Sequence, residues 1–119
     1  MTKPTLNVVN SGALPPARAL RLADEVDYLP GSVVSRTLAK RKGGTLTLFA
    51  FDAGQGLSEH TAPFDAFVEV LDGRAEITVG GQKVEAAAGH TVLMPAGISH
   101  SLHARERFKM LLAMVRGDE

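Results

Sequence analysis

From Ser32 onward, apolar and polar residues alternate with a period close to two, the pattern of β-strands and not of helices. Residues 32–39, Ser-Val-Val-Ser-Arg-Thr-Leu-Ala, are rich in β-branched side chains and predict a strand. Lys42-Gly43-Gly44 turns the chain. Thr45, Thr47, Phe49 and Phe51 then fall on one face of a second strand, with Leu46, Leu48 and Ala50 on the other. A strand apolar on both faces belongs in a sandwich or barrel wall. Residues 52–61, with two glycines, Gln55, Ser58, Glu59 and His60, read as a loop. Phe64 to Leu71 predicts a strand, and Asp72-Gly73 a hairpin that sends residues 75–79 back antiparallel. Gly80-Gly81 is a second hairpin signal, followed by a strand over 82–87. Short strands over 91–94, 99–103 and 108–115 complete the set, with Pro95-Ala96-Gly97 as a turn between the first two.

Eight or more short strands with turn signals about every ten residues predict an all-β sandwich or barrel. No helical pattern alternates with them, which argues against a parallel βαβ sheet. The first 31 residues differ. Pro4, Gly12, Pro15 and Pro16 punctuate residues 1–16, predicting an irregular arm or edge segment. Residues 17–25 favour a short helix, 26–29 are strand-like, and Pro30-Gly31 turns into the barrel. The expected organisation is an N-terminal arm or edge segment over 1–31 and a barrel over 32–119.

The chain has 119 residues, room for one domain with a core of its own. It has no cysteine, which excludes disulfides and thiolate metal sites. Thirteen basic residues balance thirteen acidic ones, so there is no basic excess for nucleic acid. The densest basic cluster, Lys40-Arg41-Lys42, sits at a turn and reads as a solvated tip. No stretch has the length of a membrane span and no secretory signal is visible, so a cytoplasmic protein without membrane partners is expected.

The chemistry concentrates in two glycine-punctuated frames. One holds Gly54, His60 and Gly73; the other holds Gly89, Pro95, Gly97 and His100. These frames resemble the two motifs of the cupin superfamily, small RmlC-like jelly rolls, or double-stranded β-helices. The first motif is glycine, five residues, histidine, one residue, histidine, three or four residues, glutamate, six residues, glycine. The second is glycine, five residues, proline, one residue, glycine, two residues, histidine, three residues, asparagine. With flanking strands the resemblance extends over residues 32–116 and implies a jelly-roll barrel. It also implies metal ligands at up to four positions, three histidines and a glutamate. Here the second histidine position is Ala62, the glutamate position is Ala66, and the closing asparagine is Ala104. Only His60 and His100 remain as candidate metal ligands. Two neutral imidazoles hold a divalent ion (Zn, Mn, Fe, Ni or Cu) weakly, because such sites need three or four protein ligands.

The candidate ligand pocket is therefore His60, Ala62, Ala66, Met94, His100 and Met110, with Leu48, Val68 and Leu102 as further apolar wall. Phe64 or Phe67 is a candidate to fill the space the alanines free. Met94, Met110 and Met114 share the expected inner face; thioethers suit Cu(I), although pocket lining is their commoner role. Glu59 points away from His60 if its segment is extended and can swing in if it is a loop, Asp65 and Glu69 alternate to the opposite face, His103 faces outward, and His90 falls in a turn. Arg36 and Lys83 are within reach of a pocket mouth. Three functions fit these features. They are a small-molecule binder with two histidine anchors, a metal-dependent enzyme of dioxygenase or isomerase type, and a structural or interaction module. The resemblance also implies a homodimer formed through edge strands, with the N-terminal segment adding a strand to the partner's sheet.

Overall fold

The computed structural model describes residues 6–11 and 13–116. Nine strands run in chain order: β1 (Leu6–Ser11), β2 (Ser32–Arg41), β3 (Gly44–Phe51), β4 (Gly56–His60), β5 (Asp65–Val79), β6 (Gln82–Ala87), β7 (Thr91–Met94), β8 (His100–His103) and β9 (Phe108–Val115). They form a two-sheet jelly roll. One sheet is ordered β1-β2-β3-β9-β5-β7, and the other β4-β8-β5-β6. Every pairing is antiparallel except β1 with β2.

The two sheets share β5. Asp72-Gly73 is not a hairpin: residues 65–79 form one continuous strand. Its first half lies between β7 and β9, and its second half between β6 and β8. A bulge between Val70 and Asp72 bends it from one sheet into the other. Gly73 is required at this corner. Its φ is +74°, and a Cβ there would overlap the carbonyl oxygen of Arg107. Gly80-Gly81 is a true two-residue hairpin, with φ of +55° and +82°.

The core lies between the sheets. Phe51 and Phe108 are fully buried and stack at 4.5 Å, with Phe49 5.8 Å from Phe51. Val68, Val70, Ile77, Leu102 and Met110 close around them. Burying each large side chain contributes roughly 2–3 kcal/mol. The second apolar face of β3 serves a different cluster, in which Leu48 and Ala50 pack with Val26 and Val34 on the outside of the sheet. That removes Leu48 from the pocket wall. This outer face is covered at one end and open at the other, where Leu46, Phe67 and Leu93 stay exposed.

Three expectations for the loops and arm change. Residues 6–11 form a strand rather than irregular chain, and β1 pairs with β2 of its own molecule. Residues 1–5, with Pro4, and Gly12 lie outside the described residues. The helix over 17–25 shrinks to a 3-10 turn at Leu22–Asp24, and 26–29 is not a strand. Ala17 takes a left-handed φ of 59°. The carbonyls at the end of this segment accept from side chains of the barrel: Lys109 Nζ donates to Ala23 O at 2.6 Å and Arg36 to Glu25 O at 3.0 Å. The Tyr28 hydroxyl donates to Asp72 Oδ2 at 2.5 Å, tying this strap to the corner of β5. Finally, the loop over 52–61 contains β4, an edge strand beside β8. Among the described residues no helix is long and apolar enough to cross a membrane.

Gly73→Ala and Gly81→Ala separate conformational cost from steric cost. Gly81 has nothing within 4 Å of an added Cβ, so its substitution costs about 1–2 kcal/mol, for the left-handed backbone alone. Gly73→Ala adds a backbone overlap and is expected to cost about 3 kcal/mol or more. Urea midpoints measure both, and equal losses would show that the corner is not tight.

Candidate functional site

His60 ends β4 and His100 begins β8, and the two are direct cross-strand partners. Leu57 pairs with Leu102 earlier in the same ladder, so three steps along β4 answer two steps along β8. That extra residue decides the chemistry. In strict alternation Glu59 would lie opposite His100; the bulge moves the carboxylate out of register and puts an imidazole there. Glu59 is exposed. His100 also pairs with Val79 of β5 and, with a strand on each side, is only 4 % exposed. His60, on the edge strand, stays exposed.

The two rings meet at a wide angle, 72° between planes, with centroids 4.3 Å apart. Their Nε2 atoms are 3.1 Å apart. Each Nδ1 faces a backbone carbonyl two residues back, His60 to Ser58 O at 2.7 Å and His100 to Ile98 O at 3.2 Å. Three polar contacts thus lie in a chain: carbonyl to ring, ring to ring, ring to carbonyl. Two neutral imidazoles carry one N–H each. Whichever tautomers are chosen, at least one of the three contacts sets acceptor against acceptor. A single added proton would close it, but burial lowers the pKa of His100 below its ordinary 6.5, and the neighbouring His60 lowers it further, against a raising effect of the Ile98 carbonyl. Burial therefore disfavours placing that proton on His100.

The pair closes one end of a small hollow lined by Leu57, Ala62, Ala66, Met94, Met110 and Met114, with Leu102 and Leu112 behind. All six candidate pocket residues (His60, Ala62, Ala66, Met94, His100 and Met110) are among those lining it. Val68 lies in the core beside it, and Leu48 on the other side of the sheet. Leu57 carries no signal for this position because its segment reads as loop along the chain, whereas the alternation of Met110, Leu112 and Met114 on β9 is a visible signal for Leu112. The free volume is about 40 Å³, a few waters' worth. The alanines do not leave a large void, because Ala66 pairs directly with Met94 on β7 and with Met114 on β9. Methionines, not phenylalanines, take the space. Phe67 is 40 % exposed on the outer face, and Phe64 lies under the guanidinium of Arg116. The Thr45 hydroxyl, opposite Met114 on β3, is buried and has no hydrogen-bond partner among the described residues.

The remaining candidates lie elsewhere. His103 is exposed, facing away on β8, and His90 Nδ1 accepts from the Ala87 N–H at 3.0 Å in the β6–β7 turn. Asp65 accepts from the Ala96 N–H at 2.9 Å, bracing the turn before His100. Arg36 pairs with Glu25, and Lys83 with Glu76. Ala104 is buried, its N–H bonded to Gln55 O. Among the described residues no three His, Cys, Asp or Glu side chains converge. The donor set does not fit a divalent ion held by three or four protein ligands, because it offers two neutral nitrogens and no carboxylate.

A family model described as Cupin domain matches residues 47–115. A solved structure of a conserved protein of unknown function from Streptococcus pyogenes is 40% identical, with a TM-score of 0.86 over 91% of this chain and 95% of that one. A cupin superfamily protein from Desulfitobacterium hafniense is 30% identical, with a TM-score of 0.84 over 89% of this chain and 97% of that one. An uncharacterized protein of Streptomyces coelicolor is 36% identical over 64 residues, which span 54% of this chain and 61% of that protein.

The lowered pKa of His100 predicts a pH dependence of folding. The unfolded chain binds the proton at about the ordinary value of 6.5, while the folded chain resists it to lower pH. The unfolded state thus holds more protons in that window, and stability falls as pH drops below 6.5. Urea midpoints of wild type and His100→Asn, measured between about pH 5 and 7.5, should converge toward the acid end. Parallel curves would show that His100 does not titrate this way.

Proposed function

The chain belongs to the cupin family, and on that premise we propose that it binds a small, largely apolar molecule through the His60–His100 pair. The 3.1 Å contact between the two Nε2 atoms, one of three contacts that two neutral rings cannot all fill, carries this reading. A ligand group bearing a polarised hydrogen, such as a carboxylic acid or a phenol, supplies what the pair lacks. A weak acid does so most completely. Its proton closes the chain of three contacts, and its carboxylate then rests beside a singly charged imidazole pair. The apolar body of the ligand lies against Leu57, Met94, Met110 and Met114. Such a division, with mostly apolar walls and few polar anchors, is the usual anatomy of a small-molecule site.

The resting hollow is far smaller than the roughly 300 Å³ typical of ligand sites, so binding requires the lining to move. Methionine is suited to this, having an unbranched chain with three rotatable bonds. Entry is from the side of His60, the exposed ring on the edge strand. A catalytic reading has less support. Ala66 stands where the family's glutamate would serve as ligand or acid–base group, and Glu59 is turned out. A divalent ion on the same two nitrogens would be weakly held and readily exchanged.

Thermal unfolding in the presence of short fatty acids, benzoic acids and phenols tests the proposal. At a hundredfold excess over Kd a true ligand stabilises by about 2.7 kcal/mol, a rise of about 10 °C or more for a domain of this size. His60→Ala, at an exposed edge position, should fold normally and lose the shift. A shift unchanged in His60→Ala and in the double variant with His100→Ala would overturn the assignment of the pair as anchor.

A further inference from the structure

We propose that the Thr45 hydroxyl is a second polar anchor of the same site, so that the ligand is an aliphatic acid with an oxygen at the end remote from its carboxyl group. This rests on the reading of the His60–His100 pair as the acid-binding end, and it names what the other end of the ligand carries.

Register places Thr45. Thr45 on β3, Met114 on β9, Ala66 on β5 and Met94 on β7 are successive cross-strand partners. Partners in register point to the same face of a sheet. Here that face is the inner one. Ala66, Met94 and Met114 all line the hollow, and Phe49, on the same side of β3 as Thr45, packs against the core. Thr45 is therefore the next side chain along the row beyond Met114.

Its hydroxyl is out of keeping with its surroundings. Apart from the two histidines, every residue lining the hollow is apolar. The Thr45 Oγ1 is buried and has no hydrogen-bond partner among the described residues. Valine has the same shape and would fill the position without that loss. A buried hydroxyl without a partner calls for a reason, and a ligand atom that arrives when the site fills is one. A threonine hydroxyl both donates and accepts, so a ligand hydroxyl or carbonyl oxygen serves equally.

The motion that admits a ligand also uncovers this group. The resting hollow holds about 40 Å³ and must open. Met114 is the lining residue next to Thr45, and its unbranched side chain can turn aside. Space is gained and the hydroxyl is exposed to it in one step. Thr45 lies two strands from Ala66, about 10 Å at the usual strand spacing. The second oxygen is therefore separated from the acid by a short alkyl chain and is not on a carbon beside it.

Isothermal titration with matched pairs of acids tests the proposal. Each pair is an ω-hydroxy acid, such as 6-hydroxyhexanoic acid, and the acid with a methyl group in place of that hydroxyl, heptanoic acid. Wild type should bind the hydroxy acid at least as tightly as its methyl counterpart. Thr45→Val should favour the methyl acid, with the ratio of the two affinities changed by about tenfold. Thr45→Ser keeps the hydroxyl and should keep the wild-type ratio. The urea midpoint of Thr45→Val without ligand should equal or exceed that of wild type, because no hydrogen bond is lost. 3-Hydroxyhexanoic acid, with its oxygen near the carboxyl group, should show no dependence on Thr45. A ratio unchanged in Thr45→Val, or one that shifts in Thr47→Val instead, would overturn the assignment. So would a clear loss of stability in Thr45→Val, which would show the hydroxyl already bonded within the protein. If heptanoic acid binds through the histidine pair and the ratio ignores Thr45, the second anchor alone falls. If no acid of either kind binds wild type, the reading of the pair falls with it.

Discussion

One strand carries both sheets, and nearly every other feature depends on its staying continuous. β5 pairs with β7 and β9 before Gly73 and with β6 and β8 after it. Had the chain reversed at Asp72-Gly73, the sheets would have no shared member. Ala66 in one sheet and Val79, the neighbour of His100, in the other would then have no fixed relation. The corner is tight enough to exclude a Cβ, and it is clasped from outside by Tyr28 bonded to Asp72. Arg107 and Lys109 both approach the face of the Tyr28 ring, at 4.6 Å and 4.9 Å. The N-terminal strap is therefore fastened at the point where the sheet bends, and its packing on Leu48 and Ala50 covers the part of the outer face beside that bend.

The site is a consequence of register. A cross-strand pair brings two side chains close only when both point to the same face. One extra residue in β4 between Leu57 and His60 achieves this, and at the same stroke sends Glu59 outward. The bulge therefore selects a neutral, basic pair over a histidine–carboxylate pair. A carboxylate opposite His100 would have satisfied it with an ion pair and left little for a ligand to do. Two neutral imidazoles backed by carbonyls cannot fill all three contacts between them.

How much of this could be read along the chain follows from which interactions are local. The alternation in β3 and β9 is set by burial on each face and was plain in the residues. So were Gly80-Gly81 as a hairpin and the placement of His60 and His100 in two frames. The Asp72-Gly73 dipeptide misled because its signal is shared: a positive φ serves a hairpin turn and a bulged corner alike, and the choice is made by Arg107, distant in sequence. β4 was missed because its partner, β8, supplies the hydrogen bonds that make Gly-Leu-Ser-Glu-His a strand; nothing within those residues does. The expected helix over 17–25 failed for the converse reason. Ala17 takes a left-handed φ where that helix would begin, and Arg36 and Lys109, distant in sequence, tie the segment's end to the barrel instead.

The hollow itself shows why counting substitutions at motif positions is not enough. Replacing a ligand by alanine removes charge and volume together, and the two need separate compensation. Volume is recovered by the neighbours: Met94 and Met114 flank Ala66 on either side and close most of the space. Charge is not recovered, since no carboxylate enters the lining. A leucine or isoleucine would have filled the gap more rigidly and left an inert core. Methionine fills it with a mobile chain and a polarizable sulfur. That leaves the lining beside the two imidazoles deformable and apolar rather than rigid. The barrel thus keeps two of its family's motif histidines beside an apolar hollow, without the charge that would hold a hard, doubly charged ion.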